Sequence, residues 1–143
     1  MKKIIVILLL VVSLPVLASD STGTIVEKFN ASFPNAVNVK WYNNWDNTEV
    51  YYENAGIISH IWYDRNGDVI KTRRYYSEKD LSPFLKTKLM QQYPGNSIFG
   101  ITETGNEYGL IYYVTLHDDK TWTQVKCDGT ADMVVFKRFK KCK

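Results

Sequence analysis

Apolar side chains recur with the four-residue spacing of a helix in two parts of the chain. In the first, Ile25, Phe29 and Phe33 form one stripe, which predicts a helix that Pro34 ends. The second stripe begins next to Ser82 and a proline, residues favoured at the N-cap and in the first turn of a helix. Its members are Leu81, Phe84, Leu85 and Leu89.

Aromatic and β-branched residues form eight further segments that are typical of strands. Turn residues separate them, among them Asn54-Ala55-Gly56, Asn66-Gly67 and Asp128-Gly129. Because every link is short, the strands are predicted to be antiparallel, since a parallel pair needs a long crossover. The segments read VNVKWY, TEVYYEN, GIISHIWYD, DVIKTRRYYS, SIFGITET, YGLIYYVTL, TWTQVKC and ADMVVFKRF.

The order helix, four strands, helix, four strands indicates an internal duplication. Phe33-Pro34 matches Tyr93-Pro94 at a spacing of 60 residues, and Asn66-Gly67 matches Asp128-Gly129 at 62. We therefore predict one α+β domain built as a tandem repeat of a helix plus four antiparallel strands. The repeats span about residues 24–77 and 78–141.

Alternation within the strands predicts which side chains lie under the helices and which lie on the opposite, open face. The covered face is predicted to carry Val50, Tyr52, Leu110, Tyr112, Val114 and Leu116. The open face is predicted to carry a binding site with six candidate residues. They are Tyr51, His60, Trp62, Arg74, Tyr113 and Trp122.

Aromatic residues are abundant, with ten tyrosines, six phenylalanines and four tryptophans. Tyrosine and tryptophan on an open sheet face combine a large contact area with a polar group, which suits recognition of a protein or peptide. A glycan could use the same platform. The structural alternative is that cross-strand aromatic pairs only stabilise the sheet, by about 0.2–1 kcal/mol each.

Four segments, in this order, resemble exported PepSY-like and β-lactamase-inhibitor-like proteins. They are KFNASFPNAVNVKWY, WYDRNGDVIKT, LKTKLMQQYPGNSIFGI and VKCDGTADMVVFKR, and the resemblance covers essentially the whole mature chain. It implies helices packed on one face of a curved antiparallel sheet, and an inhibitory or regulatory role toward another exported protein. No motif here matches the lactamase-contacting residues of such an inhibitor, so the resemblance assigns no site residue.

The first twenty residues, MKKIIVILLLVVSLPVLASD, have the form of a secretory signal peptide. Two lysines precede an apolar run that is about half of the ~20 residues a spanning helix needs. We predict cleavage after Ala18, a mature domain over residues 19–143 with no membrane span, and a periplasmic or secreted location.

Charge gives little support for a polyanion as partner. Without Lys2 and Lys3, 16 of the 18 basic residues remain against 15 acidic ones. The basic and aromatic residues around Lys71, Arg73 and Tyr75 are interpreted as a solvated strand, so no nucleic-acid binding is predicted. The basic C-terminus is either a solvated tail or a docking patch; it comprises Lys137, Arg138, Lys140, Lys141 and Lys143.

We predict no metal site, no cofactor and no set of catalytic residues. Asp64, Asn66 and Asp68 resemble calcium ligands, but with Asp64 at position 1 the glycine falls at position 4 instead of 6, and Tyr75 replaces the required glutamate. Asn66-Gly67 is a favoured two-residue hairpin turn instead. The two histidines, His60 and His117, offer at most half a metal site, and no nucleophile motif occurs. We therefore expect a chain that is not an enzyme.

Cys127 and Cys142 are the only cysteines. Export permits a disulfide, but a straight strand after the Asp128-Gly129 turn would carry Cys142 up to ~30 Å from the level of Cys127. A bridge would require the tail to fold back, and both states remain open at this stage.

Overall fold

The computed structural model of the chain describes residues 21–142. The predicted signal peptide, residues 1–18, lies outside the described residues. None of the helices within 21–142 is long and apolar enough to cross a membrane. The elements are α1 Ser21–Ser32, β1 Val37–Asn43, β2 Thr48–Asn54, β3 Ile57–Tyr63, β4 Val69–Tyr76, a 3-10 helix Glu78–Asp80, α2 Pro83–Gln92, β5 Ser97–Asn106, β6 Gly109–His117, β7 Thr121–Asp128 and β8 Met133–Lys140.

All eight strands form one open sheet in chain order, and every neighbouring pair is antiparallel. The predicted antiparallel α+β architecture is therefore confirmed. Short links explain the order, because each strand can only turn back beside its predecessor. The one longer connection runs from β4 to β5 and contains the 3-10 helix and α2.

The covered face can be followed along one row of paired residues that crosses seven strands. The row reads Tyr52, Ser59, Arg74, Glu103, Tyr112, Cys127 and Met133. Tyr52 belongs to the core under α1, and Cys127 to the core under α2. Both helices therefore pack on the same face of the sheet, as predicted.

The first core is rich in rings. Phe29 of α1 is 1% exposed, and its ring lies 5.2 Å from Tyr52 and 5.3 Å from Trp41, edge-on in both pairs. Ile25 packs beside it on the covered side of β2 and β3. The predicted helical stripe of Ile25, Phe29 and Phe33 is thus the stripe that faces the sheet.

The second core is mainly aliphatic. Leu85 and Leu89 of α2 pack on the side chains of β5, β6 and β7. Ser82 caps the helix, since its hydroxyl accepts the backbone N–H of Leu85 at 3.2 Å. Phe84 was predicted on the buried stripe, but it is 54% exposed because it lies on the solvent side of the helix. Leu110 is on the covered face as predicted, yet it is 44% exposed, since it lies beyond the second core.

The hairpin turns after β3 and β7 share one hydrogen-bond pattern. In each, the first aspartate donates its backbone N–H to the carbonyl of an aspartate four residues on, at 2.9 Å and 3.1 Å. Its carboxylate accepts two backbone N–H groups of the same loop. The aspartate pairs are Asp64 with Asp68 and Asp128 with Asp132.

Two turn predictions were wrong. The loop after β3 has three residues, because only Gly67 takes a positive φ (76°) and a two-residue Asn-Gly turn would need two such residues. Ala131 (φ 65°) holds the matching position in the loop after β7. Equivalent turn positions are therefore 64 residues apart, and Asn66-Gly67 does not match Asp128-Gly129.

Candidate functional site

The open face lies opposite both helices, and no helix within residues 21–142 covers it. Five of the six candidate residues lie on it by strand register: Tyr51, His60, Trp62, Tyr113 and Trp122. Arg74 does not. It pairs with Ser59 and Glu103 on the covered face, so its assignment to the open face was wrong.

Three of the candidate rings pack together with a fourth that sequence reasoning missed. We call Tyr51, His60, Trp62 and Tyr75 the His60 cluster. The imidazole is stacked on Trp62 at 5.7 Å with an interplanar angle of 14°. Tyr51 and Tyr75 meet it edge-on at 5.3 Å and 5.9 Å. All four rings are half-buried, so each presents part of its surface to solvent.

Carboxylates at the border of the His60 cluster are held by the rings themselves. His60 Nδ1 lies 2.7 Å from Glu49 Oε1, and the Tyr51 hydroxyl donates to Glu53 Oε1 at 2.6 Å. That hydrogen bond raises the pKa of Tyr51 and lowers the pKa of Glu53, because it stabilises the protonated phenol and the charged carboxylate. Both acids of this border therefore have partners within the face.

Cations lie over the same rings. Lys71 Nζ is 4.8 Å from the centroid of Trp62, and the Arg73 guanidinium is 5.6 Å from it. Lys40 Nζ is 5.3 Å from the Tyr51 ring. Contacts of this kind hold long basic side chains over aromatic faces. The result is an aromatic surface with positive charge at fixed positions along its border.

A second group of rings lies where β5, β6 and β7 meet; we call Phe99, His117 and Trp122 the Trp122 cluster. Trp122 is 5.0 Å from each of the other two rings. Lys141 Nζ lies 4.9 Å over Trp122 and 3.4 Å from His117 Nδ1. Phe99 is 67% exposed, the most accessible ring of either cluster.

The two clusters do not form one continuous aromatic patch. Between them, β5 places Thr102 and Thr104 on the open face, paired with β4 on one side and β6 on the other. Tyr113, the fifth candidate on this face, belongs to neither cluster and contacts Phe136 of β8 at 5.3 Å. The face therefore offers two aromatic contact areas separated by a polar strip.

Sequence reasoning missed Tyr75, Phe99 and the acid partner Glu49. Tyr75 could have been found, because a turn at Asn66-Gly67 already pairs His60 with Arg73, which puts Tyr75 on the same face. Phe99 lies at an irregularity of β5 between Ile98 and Gly100, where simple alternation fails. The turn at Asn54-Ala55-Gly56 pairs Tyr51 with His60, which puts Glu49 diagonally across from His60, but the sequence does not show that their side chains meet.

The site shows little that could hold a metal. Within the described part of the chain, no group of three or more His, Cys, Asp or Glu side chains is placed to bind one. His60 and His117 belong to different clusters. In the suspected calcium loop, the backbone N–H groups of Asp68 and Asn66 hydrogen bond to Asp64 and lower its pKa, so the turn itself uses this carboxylate.

Both cysteines are free, and they are far apart. Cys127 lies on β7 next to the first residue of β8, and Cys142 follows the last residue of β8. Cys127 is buried beside Met133, and burial raises the pKa of its thiol to about 11. Cys142 is exposed. A folded-back tail that would bring them together is not seen.

Comparisons with known proteins identify the fold. No protein-family model matches this chain, and no curated protein matches it in sequence. Among solved structures, it is similar to a BLIP-like protein from Bacteroides fragilis, with a TM-score of 0.61, 18% identity, and coverage of 85% of this chain and 88% of the other.

Two further structures from the same genus are similar. One is a DUF2874 family protein from Bacteroides ovatus, with a TM-score of 0.59, 15% identity, and coverage of 82% and 86%. The other, from Bacteroides eggerthii and provisionally described as periplasmic, has a TM-score of 0.58, 11% identity, and coverage of 85% and 87%. At these identities the likeness concerns the fold alone: the chain has the single open antiparallel sheet with two helices of the BLIP-like proteins.

Proposed function

We propose that this chain is an exported, non-catalytic binding module that regulates or inhibits an envelope or secreted protein through its open sheet face. The His60 cluster is the observation that carries the proposal. Three half-exposed rings each contact the half-exposed His60 on a face that no described helix covers, with basic side chains over two of them.

The composition of this surface favours a protein partner over a smaller ligand such as a glycan or a peptide fragment. Tyrosine, tryptophan and arginine are enriched at the energetic centres of protein interfaces. An open sheet face with charges over its rings suits a partner that brings its own side chains. A glycan or peptide ligand on the same rings is the second candidate, because stacked rings such as His60 and Trp62 also suit sugar faces.

Export is part of the proposal. The signal-peptide form of residues 1–18 supports it, and so does the likeness to a structure provisionally described as periplasmic. The kinship with PepSY-like proteins and the internal duplication are proposed with it. The shared hydrogen-bond pattern of the turns at Asp64 and Asp128 supports the duplication.

Affinity capture from an envelope extract tests the proposal. The bait is the mature chain, as wild type and as the variant Tyr51→Ala with Trp62→Ala. Phe84→Ala is the matched control, since it removes an exposed ring from the helical side. We expect a captured protein whose yield falls at least about tenfold with the double variant, because two truncated anchors each cost about 2 kcal/mol.

The same variants decide between the candidates. Equal capture by the wild type and the double variant, with both folded by circular dichroism, would rule out the His60 cluster as the contact surface. A glycan array that is bound by the wild type and lost with the double variant, without any captured protein, would favour the second candidate.

A further inference from the structure

Cations on the described part of the open face lack a carboxylate within ion-pair distance, whereas four cations on the helical side have one. Six basic side chains lie on the open face by register or over its rings. They are Lys40, Lys71, Arg73, Lys126, Lys137 and Lys141. Among the described residues, none of the six forms an ion pair with an acid.

On the helical side, four cations are paired with acids. Lys28 lies 3.8 Å from Asp68, Arg74 3.2 Å from Glu103, and Lys86 2.7 Å from Glu78. Lys79 also has an acidic neighbour, at 3.9 Å. Three other cations on that side, Lys88, Arg138 and Lys140, have no acid partner either. Among the described residues, the open face thus differs in that none of its six cations is paired.

The carboxylates near these cations are each hydrogen-bonded to other groups, although Lys40 and Lys141 still help to lower the pKa of Glu53 and Asp118. Glu49 is engaged by His60, and Glu53 by the Tyr51 hydroxyl. Asp128, at the end of β7, accepts the backbone N–H groups of Thr130 and Asp132 within its own turn. Within residues 21–142, six cations therefore outnumber the four carboxylates near them, Glu49, Glu53, Asp118 and Asp128, and the face carries an excess of positive charge.

These cations lie close to the apolar contact areas. Lys71 and Lys141 lie over the two tryptophans, Trp62 and Trp122, at nearly the same distance of 4.8 Å and 4.9 Å. A group that binds there meets a ring and an ammonium together. It would satisfy both by placing a carboxylate next to an apolar side chain.

We propose that the open face takes an acidic protein surface that presents a carboxylate beside an apolar side chain at two places, one for the His60 cluster and one for the Trp122 cluster. The inference rests on the proposed function and names the chemistry of its partner. Trp122 lies four strands away from His60 across the sheet and about six residues away along the strand direction. The distance between the two residues is therefore roughly 28 Å. The partner's two contact points are separated by the same distance.

Synthetic peptides test this chemistry directly. The probe carries Glu-Phe at one end and Phe-Glu at the other, separated by eight Gly, Ser and Thr residues, enough to span roughly 30 Å when extended. Its analogue has lysine in place of both glutamates, and a third peptide keeps only one end. Binding to the mature chain is measured by fluorescence anisotropy in 50 mM and 500 mM NaCl.

We expect the acidic peptide to bind at least about tenfold more tightly than the lysine analogue at low salt. The difference should shrink at high salt, because exposed charges are screened. The one-ended peptide should bind more weakly, since the second contact adds effective concentration. Equal binding of the two charge forms, or no binding of any peptide, would overturn the inference.

Charge reversal supplies the matched variants. Lys71→Glu with Lys141→Glu should invert the preference, so that the lysine peptide binds more tightly than the acidic one. Lys79→Glu with Lys88→Glu changes the net charge equally on the helical side and should leave the preference unchanged. If both pairs act alike, overall charge explains the result and the assigned face is wrong.

The partner found by affinity capture separates this inference from the proposed function. Loss of capture with Tyr51→Ala and Trp62→Ala, but full capture with Lys71→Glu and Lys141→Glu, would keep the binding face and reject its acidic partner. Loss of capture with both pairs, together with full capture by the helical-side control Lys79→Glu with Lys88→Glu, supports both.

Discussion

The two halves of the sheet bury different side chains under helices of similar length. Beneath α1, Phe29 meets Trp41 and Tyr52 edge-on, in a core built largely from rings. Beneath α2, Leu85 and Leu89 lie among aliphatic side chains. The same arrangement of one helix on antiparallel strands thus accepts either chemistry. Apolar area on the correct face is what both halves share, and the identity of the side chains is secondary.

A polar junction separates the two cores without breaking the sheet. Glu103 is 8% exposed and accepts hydrogen bonds from Arg74 at 3.2 Å and from the Tyr76 hydroxyl at 2.8 Å. Burial and this carboxylate raise the pKa of Tyr76, so the phenol stays a donor. The strands β4 and β5 pair directly here. Two separate cores are therefore joined by a continuous hydrogen-bonded ladder, which predicts that they unfold together.

The largest expected effect comes from truncating one side chain in each core. Phe29→Ala should lower the free energy of unfolding by about 3–5 kcal/mol, and Leu89→Ala by about 2–5 kcal/mol, since both leave cavities. Urea unfolding gives the values, and amide hydrogen exchange gives their distribution along the chain. Each variant should weaken protection in both halves equally. Loss confined to the half that carries the substitution would show two independent units.

The sequence predicts the layout of both halves well, because alternation and helical spacing are local properties. Val50, Tyr52, Val114 and Leu116 are all buried on the helical side as predicted. Errors occur where register must be counted across strands: Arg74 was placed on the wrong face, although the hairpin pairing of His60 with Arg73 implies the correct one.

The candidate site was predictable only in part. Trp62 and His60 were placed correctly because they alternate with the buried Ile61. The hairpin turns place Glu49 and Tyr75 on the same face as His60, but the contacts themselves depend on how the side chains orient across the strands, which the sequence does not specify. The separation into two clusters follows from the threonines of β5, whose position between the halves is a property of the whole sheet.

A smaller effect tests the equivalence of the two turns. Gly67 and Ala131 hold matching positions, both with positive φ, where a side chain is disfavoured. Gly67→Ala should destabilise by about 1–2 kcal/mol, because an added Cβ also lies 3.2 Å from Lys28 Nζ and 3.3 Å from Ile25 Cγ1. Ala131→Gly should stabilise the fold by about 0.5–1 kcal/mol, because glycine adopts a positive φ without steric strain. This gain is partly offset, since glycine also increases the conformational entropy of the unfolded chain. Thermal unfolding of both variants measures the pair, and shifts of the same sign would show that the turns are not equivalent.

The smallest expected effect is a difference in acid stability between the same turns. The backbone N–H of Asp68 is the main cause of the lowered pKa of Asp64, whereas the Thr130 hydroxyl is the main cause for Asp128. Both folded-state pKa values lie below the usual 3.8, so each carboxylate stabilises the fold above about pH 4, and this contribution is lost as the pH falls through the folded value. Asp64→Asn and Asp128→Asn should each destabilise the fold at pH 6, and their stability should converge with that of the wild type near pH 2. Urea midpoints across this pH range would show this.

Thr130→Val should reproduce part of the effect at Asp128, and no such dependence on a hydroxyl is expected at Asp64. A constant gap between wild type and variants at every pH would mean that the carboxylate charge contributes nothing to either turn.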